Sequence, residues 1–378
     1  MTMPPQRDIG LYIHVPLCLQ RCHFCAFYLE IATPARVETF LSALDRELTL
    51  YHRQNLLDGR ALQSIYFGGG TPTVIPSLQL AALLDRIRNT YSVTPDVEVT
   101  VEAHPSTVTL SDLSVLAEAG FNRISLGAES MAPQDFIPIG RPGTISETEQ
   151  AVANARTAGF SNINLDLMYG LPGQDLTSWT TTVQSLLRLN PTHISCYALT
   201  IEDHTKLARD IAKGLVPAPD EALQMEMEEA AETVLASAGF TRYEISNYAR
   251  PGSACRHNLL YWTDGDYLGL GPSAQSYVAG CRFGNIAHLD TYTSQLENGQ
   301  LPVADRLPLS VEEQQRDALI FGLRLLNGVP NSLTADDPGQ REILNQLIAK
   351  GLIVEEGTRT RLTPLGRRFA DSVASELF

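Results

Sequence analysis

A chain of 378 residues, 44% hydrophobic, with 27 glycines and 22 prolines, has the make-up of a globular protein with room for two or three domains. Its 28 basic and 43 acidic residues leave a net charge of −15, which excludes a general nucleic-acid binder and a protein held on anionic lipid by charge. No apolar run reaches the roughly 18 residues of a membrane span, and residues 1–10 lack an apolar leader core, so a cytoplasmic setting is expected.

The first element, at 11–15, is a short apolar strand that runs into Cys18, Cys22 and Cys25, spaced C-x3-C-x2-C. Thiolates this close on one loop can converge on a soft metal, and Cys-only ligation suits an iron–sulfur cluster. A four-iron cluster with three protein ligands keeps one iron open to an exogenous molecule. Zinc would ask for a fourth protein ligand, for which His23 is badly placed, and a disulfide would ask for an oxidising compartment. A second strand, 64–67, ends in Gly68, Gly69 and Gly70. That run permits close backbone approach and offers unhindered N–H groups, but it is neither a phosphate loop nor a dinucleotide loop.

Further strands are expected at 97–103, 123–128, 163–168 and 193–199. Helical stretches fall between them at 35–52, 77–89, 111–118, 146–157 and 176–189. Six strand–helix units imply parallel strands joined by right-handed crossovers. Glycines, cysteines and acids recur at the C-terminal ends of these strands. That favours an α/β fold with a partial (β/α)6 barrel over a doubly wound sheet, which gathers its special residues at one switch point. After a linker at 216–220 come a helix at 220–238, a linker at 301–308 and a helix at 311–326. A helix at 341–350, a hairpin at 352–356 and 361–363, and a helix at 364–377 follow. This α+β C-terminal region ends in a small winged-helix-like module whose mixed charges show no basic face, suited to a lid or docking role. The expected domains are a barrel with the cysteine loop (1–215), an extension (216–308) and the C-terminal module (309–378).

The pattern Tyr12-x-His14-x-Pro16-x-Cys18-x3-Cys22-x-Phe24-Cys25, followed by Gly68-Gly69-Gly70-Thr71-Pro72-Thr73, resembles the radical S-adenosylmethionine (SAM) superfamily. The segments at 122–127, 164–172, 243–247, 257–262 and 269–274 resemble its oxygen-independent coproporphyrinogen III oxidase-like family, which holds oxidases and heme chaperones. The likeness runs from Tyr12 to about Tyr277. It implies a [4Fe-4S] cluster on Cys18, Cys22 and Cys25 whose open iron takes SAM. It further implies that Tyr12 and Phe24 line the cofactor site, with Phe24 on the adenine. Gly69, Gly70 and Thr71 would hold the methionine end, and Glu102 a ribose or ammonium group. Glu129, Arg141, Asp166 and Ala198 fall on positions for a cofactor or substrate molecule.

Phe27 stands where oxidase members carry a further cysteine, and His257-Asn258-x-x-Tyr261-Trp262 resembles the heme-associated motif of the chaperone members. His257 would then give heme iron an imidazole. Glu129 replaces a usual Gln, Gln275 a usual His, and Arg141-Pro142-Gly143 a usual Arg-x-His. The plain alternatives are a strand-end cap for Asp166, a surface ion pair for Arg141 and a hydrogen-bonded core residue for His257. Cys255 is read as a heme-adjacent or simply buried thiol, and Cys196 and Cys281 as structural. The resemblance implies heme as ligand and a heme-accepting protein as partner, a membrane protein among the candidates, and it admits a homodimer. Two functions stay open: heme delivery regulated by cluster and SAM, or radical chemistry on a tetrapyrrole, for which Arg123 and Arg141 are few cations.

Overall fold

A computed structural model describes residues 9–334 and 338–378. Residues 1–8, which carry most of the leader reading, lie outside the described residues. The six expected strands form: β1 (Ile9–Val15), β2 (Leu62–Gly69), β3 (Val93–Ala103), β4 (Arg123–Glu129), β5 (Asn162–Tyr169) and β6 (His193–Ala198). They lie side by side in chain order and all pair in parallel. Between them run α1 (Pro34–Arg53), α2 (Ser77–Thr90), α3 (Leu110–Ala119), α4 (Ile145–Thr157) and α5 (Leu176–Arg188). Thr109, Thr144 and Asp175 open α3, α4 and α5 with reciprocal capping boxes, which explains why these starts were visible in the sequence. Val37, Phe40, Leu44 and Leu48 give α1 its buried stripe at helical spacing.

The strands carry two different faces. Ile65, Phe67, Val99, Val101, Ile124, Leu126, Leu165 and Ile194 pack under the helices, while Ser64, Tyr66, Thr100, Glu102, Arg123, Ser125, Asn164, Asp166, Ser195 and Tyr197 alternate with them. The face away from the helices is therefore polar, and it lines the site described below.

The extension adds to both edges of the sheet. After α6 (Glu221–Ser237), β7 (Thr241–Arg242) and β8 (Asn247–Ala249) continue it beyond β6. Past α7 (Arg256–Trp262), β9 (Tyr267–Leu270) pairs in parallel with β1, followed outward by β10 (Gln275–Val278), β11 (Cys281–Asn285) and β12 (Val303–Pro308). Residues 301–308, expected as a linker, thus hold an edge strand. Its exposed polar side chains and terminal proline hid it. An α8 helix (Leu289–Glu297) precedes it.

The last segment holds α9 (Val311–Gly322), β13 (Val329–Pro330), α10 (Pro338–Ala349), β14 (Ile353–Glu356), β15 (Arg359–Leu362), α11 (Pro364–Arg368) and α12 (Ala370–Leu377). The helix expected over 364–377 is broken at Phe369 into two. A three-stranded antiparallel sheet, β13-β15-β14, shares a separate core with these helices, built on Leu319, Leu344, Leu347, Ile353, Leu362 and Val373. No described helix is long and apolar enough to cross a membrane.

One buried carboxylate ties the first helix to the extension. Glu47 of α1 is fully buried and accepts hydrogen bonds from Tyr292 Oη (2.5 Å), Asn285 Nδ2 (2.6 Å) and the Gly271 amide (2.8 Å). Burial pushes its pKa up to about 7, against the opposing pull of these three donors. Between the ordinary carboxylate range and pH 7 the folded chain holds a proton that the unfolded chain has lost. The Glu47 contribution to stability is therefore full at low pH and is lost as pH rises through about 7. The stability advantage of wild type over Glu47→Gln is expected to shrink between pH 5 and pH 8. Urea midpoints across that range check it, and a widening gap would contradict the assignment.

Candidate functional site

The loop after β1 and the C-terminal ends of β2 to β6 surround one cavity of about 660 Å³. Cys18, Cys22 and Cys25 lie on its wall with Phe24, Gly69, Gly70, Thr71, Glu102, Glu129, Arg141 and Asp166. Side chains from five successive strands meet around one space, so the sheet curls about it as a partial barrel does.

Several contacts hold the cysteine loop. Leu17 and Cys18 pair in parallel with Glu30 and Ile31, closing its neck. Arg21 donates to the carbonyls of Cys25 (3.4 Å), Phe27 (3.3 Å) and Leu29 (3.3 Å). His23 is turned outward: its amide donates to Ile139 O and its Nδ1 lies 3.2 Å from Pro138 O. Among the described residues no group of three or more His, Cys, Asp or Glu converges tightly enough for a single metal ion. Three half-buried thiols around one cavity suit a cluster instead, where each thiolate takes a different iron. Burial pushes Cys22 up to about 11 and raises Cys18 and Cys25, so thiolates here require a metal.

The glycine run has a different role from the one its sequence suggests. Its amides are not free: Gly69 donates to Glu102 Oε2 (3.1 Å), Gly70 to Val15 O (2.8 Å) and Thr71 to Leu17 O (2.7 Å). A Cβ at Gly70 would come 2.6 Å from Leu17 O and 3.0 Å from Cys18 Sγ. The run lets β2 end flush against the cysteine loop, and Thr71 Oγ1 sits 3.4 Å from Cys18 Sγ.

Glu102 also accepts from Tyr66 Oη at 2.7 Å, and burial pushes it up to about 7. Asp166 accepts from Asn164 Nδ2 (2.7 Å) and Ser125 Oγ (3.4 Å) and is raised mainly by burial. Glu129 sits in a left-handed conformation (φ 61°) at a break in the β4–β5 register. Non-glycine residues held that way gather at functional sites. Tyr197 Oη donates to Glu129 Oε2 (2.8 Å), and Arg141 Nη1 lies 3.6 Å from Oε1. The Arg141 side chain is buried and also donates to Gly127 O, so it is no surface ion pair. The added negative charge of Glu129 is met within the site.

Three expected residues are placed elsewhere. Tyr12 directs its hydroxyl to His14 Nδ1 (3.1 Å) and stacks on His257 (6.1 Å, 27°); its ring lies 6.0 Å from that of Tyr66, which lines the cavity. Ala198 packs beside the main core, next to Tyr197. His257 is 1% exposed, with Nδ1 2.9 Å from Ser64 Oγ and Nε2 2.9 Å from Tyr261 Oη. Both nitrogens are occupied, and burial lowers its pKa to about 3. Its neighbour Asn258 is the motif residue that reaches the cavity. Sequence reasoning passed over Tyr66, Ser125, Ser195 and Tyr197, and quoted Asn258 only as part of the motif. Those four follow from the two-residue alternation of β2, β4 and β6 once the polar face is known.

Cys255 is fully buried, donates to Glu98 Oε1 (3.5 Å) and is pushed up to about 12 by burial, an inert thiol. Arg123 is buried below the cavity, with two of its nitrogens lacking a partner.

Residues 12–186 match the radical SAM superfamily, and residues 309–369 match the HemN C-terminal domain. The chain is 36% identical to a heme chaperone HemW of Mycobacterium tuberculosis, over 99% of this chain and 95% of that one. It is 32% identical to a heme chaperone HemW of Bacillus subtilis, over 96% and 97%. The solved structure of the coproporphyrinogen III oxidase HemN from Escherichia coli, described as a radical SAM enzyme, superposes with a TM-score of 0.87. It covers all of this chain and 91% of its own at 23% identity, a likeness of fold.

Proposed function

Because the chain belongs to the radical SAM superfamily and, within it, to the HemW family, we propose that it is a heme chaperone that binds heme and passes it to an acceptor protein. Cys18, Cys22 and Cys25 would hold a [4Fe-4S] cluster. Phe24 would pack on the adenine of SAM, Glu102 would meet its ammonium, and the carbonyls rather than the amides of Gly69, Gly70 and Thr71 would face its methionine end. When bound, the cluster supplies one electron at a time to the sulfonium centre. Glu129, Arg141 and Asp166 shape the rest of the cavity, with Arg141 set against Glu129.

The observation that carries delivery over turnover is the charge of the cavity wall. It bears Glu102, Glu129 and Asp166 but a single arginine, Arg141, already beside Glu129. A porphyrinogen with several carboxylates would enter such a space uncompensated, and desolvating unpaired charge is costly. We assign 1–215 to the cluster and SAM, 216–308 to heme, and 309–378 to docking through a winged-helix-like unit. The cytoplasm is the proposed setting and a membrane-bound or soluble hemoprotein the acceptor, with a homodimer as the proposed assembly. The test is a hemin titration of anaerobically reconstituted protein, followed in the Soret region. Saturation near one heme per chain is expected. Absence of saturable binding, with SAM-dependent loss of a porphyrinogen, would overturn the reading in favour of an enzyme.

A further inference from the structure

Ser125 of β4, Asn164 of β5 and His193 of β6 lie abreast on the polar face, each in register with the next. All three are buried, His193 completely. His193 is not part of the cavity wall, yet both its ring nitrogens are engaged. Nδ1 lies 2.6 Å from Asn164 Oδ1, and Nε2 lies 2.9 Å from Tyr243 Oη. Asn164 Nδ2 in turn donates to Asp166 Oδ1 and to Ser125 Oγ, both at 2.7 Å, and Ser125 Oγ donates to Asp166 Oδ2 at 3.4 Å.

These contacts admit one order of donation. An ionised Asp166 only accepts, so the Asn164 amide must present it the nitrogen and turn Oδ1 to His193. That oxygen also only accepts, from Nδ1–H and, at 3.3 Å, from Ser195 Oγ. A neutral imidazole protonated at Nδ1 keeps a lone pair on Nε2, which receives the Tyr243 hydroxyl. Burial, with Arg123 nearby, holds the ring well below the ordinary histidine range and so uncharged. The Tyr243 oxygen then accepts from the Cys255 amide (3.4 Å), and the Tyr243 carbonyl accepts from the amide of Leu326, beyond α9 (3.1 Å). Every donor between Tyr243 and the cavity points toward Asp166.

We propose that His193 is a positioning residue for SAM binding: through Asn164 it fixes the plane of the Asp166 carboxylate and leaves that group's free lone pairs to a donor on the cofactor. The proposal rests on the reading of this cavity as the SAM site. Two donors, one on each oxygen, set the carboxylate plane, and a carboxylate has acceptor sites to spare. Without the imidazole N–H the Asn164 amide is free to turn over. Oxygen would then face oxygen across the 2.7 Å now spanned by an N–H, and Asp166 would swing away. A histidine that only filled the core would affect stability but not the direction in which Asp166 faces.

Equilibrium dialysis of SAM against the full, cluster-reconstituted chain tests the relay as a double-mutant cycle. His193→Leu is expected to keep its cluster and to bind SAM about tenfold more weakly, the scale of one buried hydrogen bond lost. His193→Asn, whose amide nitrogen can stand in for Nδ1, is expected to recover most of that loss. In an Asp166→Asn background, itself weakened, His193→Leu is expected to cost nothing further. Should His193→Leu fail to fold, Tyr243→Phe removes the next donor and is expected to lose severalfold, again only while Asp166 is present. Nitrogen-15 spectra of the wild type should show the His193 ring neutral and protonated at Nδ1. Wild-type affinity in His193→Leu, no recovery in His193→Asn, an equal loss with and without Asp166, or a ring protonated at Nε2 would overturn the positioning role and leave the SAM site standing. A wild type that binds no SAM would remove both.

Discussion

Cys22→Ala is expected to emerge from anaerobic reconstitution with iron and sulfide without the visible absorbance of a cluster, and to lose measurable binding of SAM. The three thiols share one cavity, and among the described residues no fourth cysteine lies on its wall to replace one of them. Two remaining thiolates would leave two irons open, and such a cluster exchanges with solvent and oxygen. The fold should survive, because Arg21 and the Leu17–Glu30 pairing hold the loop without help from Cys22. Far-UV circular dichroism of the metal-free variant should match the metal-free wild type, and Cys281→Ala, on β11, should keep a full cluster. Wild-type iron and sulfide content in Cys22→Ala would refute the ligand assignment.

Glu102→Leu is expected to weaken SAM binding by about 100-fold or more, roughly 2.7 kcal/mol. The change removes the acceptor for the Gly69 amide and the Tyr66 hydroxyl together, and each orphaned donor costs on the order of 1–3 kcal/mol. It also removes the carboxylate proposed to meet the ammonium. The pH dependence follows from burial, which holds Glu102 near 7, with Asp166 adding to the upward shift. Only the ionised form attracts an ammonium, so affinity should rise from pH 6 to pH 8, and Glu102→Gln should flatten that rise. Equilibrium dialysis with SAM across the range decides it; a wild-type affinity that falls with pH would remove Glu102 from this role.

What could be read from the sequence followed from local rules. Period-two alternation and the strand–helix rhythm marked the six parallel strands and their helices to within a few residues, and the cysteine spacing marked the loop. What escaped depends on partners far along the chain. β9 has four residues, one of them glycine, and becomes a strand only because β1 offers it an edge. Glu47 looks like an ordinary surface acid of an amphipathic helix until Asn285 and Tyr292 close over it. The glycine amides looked available because nothing local shows that Val15 and Glu102 accept from them. His257 could be read either as a heme ligand or as a hydrogen-bonded core residue because Ser64 and Tyr261 reach it only in the folded sheet.

The clamp around Glu47 also sets a schedule for the nascent chain. Its acceptor oxygens wait for Tyr292, 245 residues downstream, and Gly10 of β1 waits for Tyr267 of β9 across a longer separation still. At a synthesis rate of about 5–20 residues per second, the strand that carries the cysteine loop stays open along one edge for roughly 10–50 seconds on the ribosome. During that interval the three thiols already exist while the wall that will seal their strand does not. A ribosome pause placed before residue 267 would lengthen their exposure to oxidants, and translation speed thereby becomes a determinant of how many chains mature with their thiols intact.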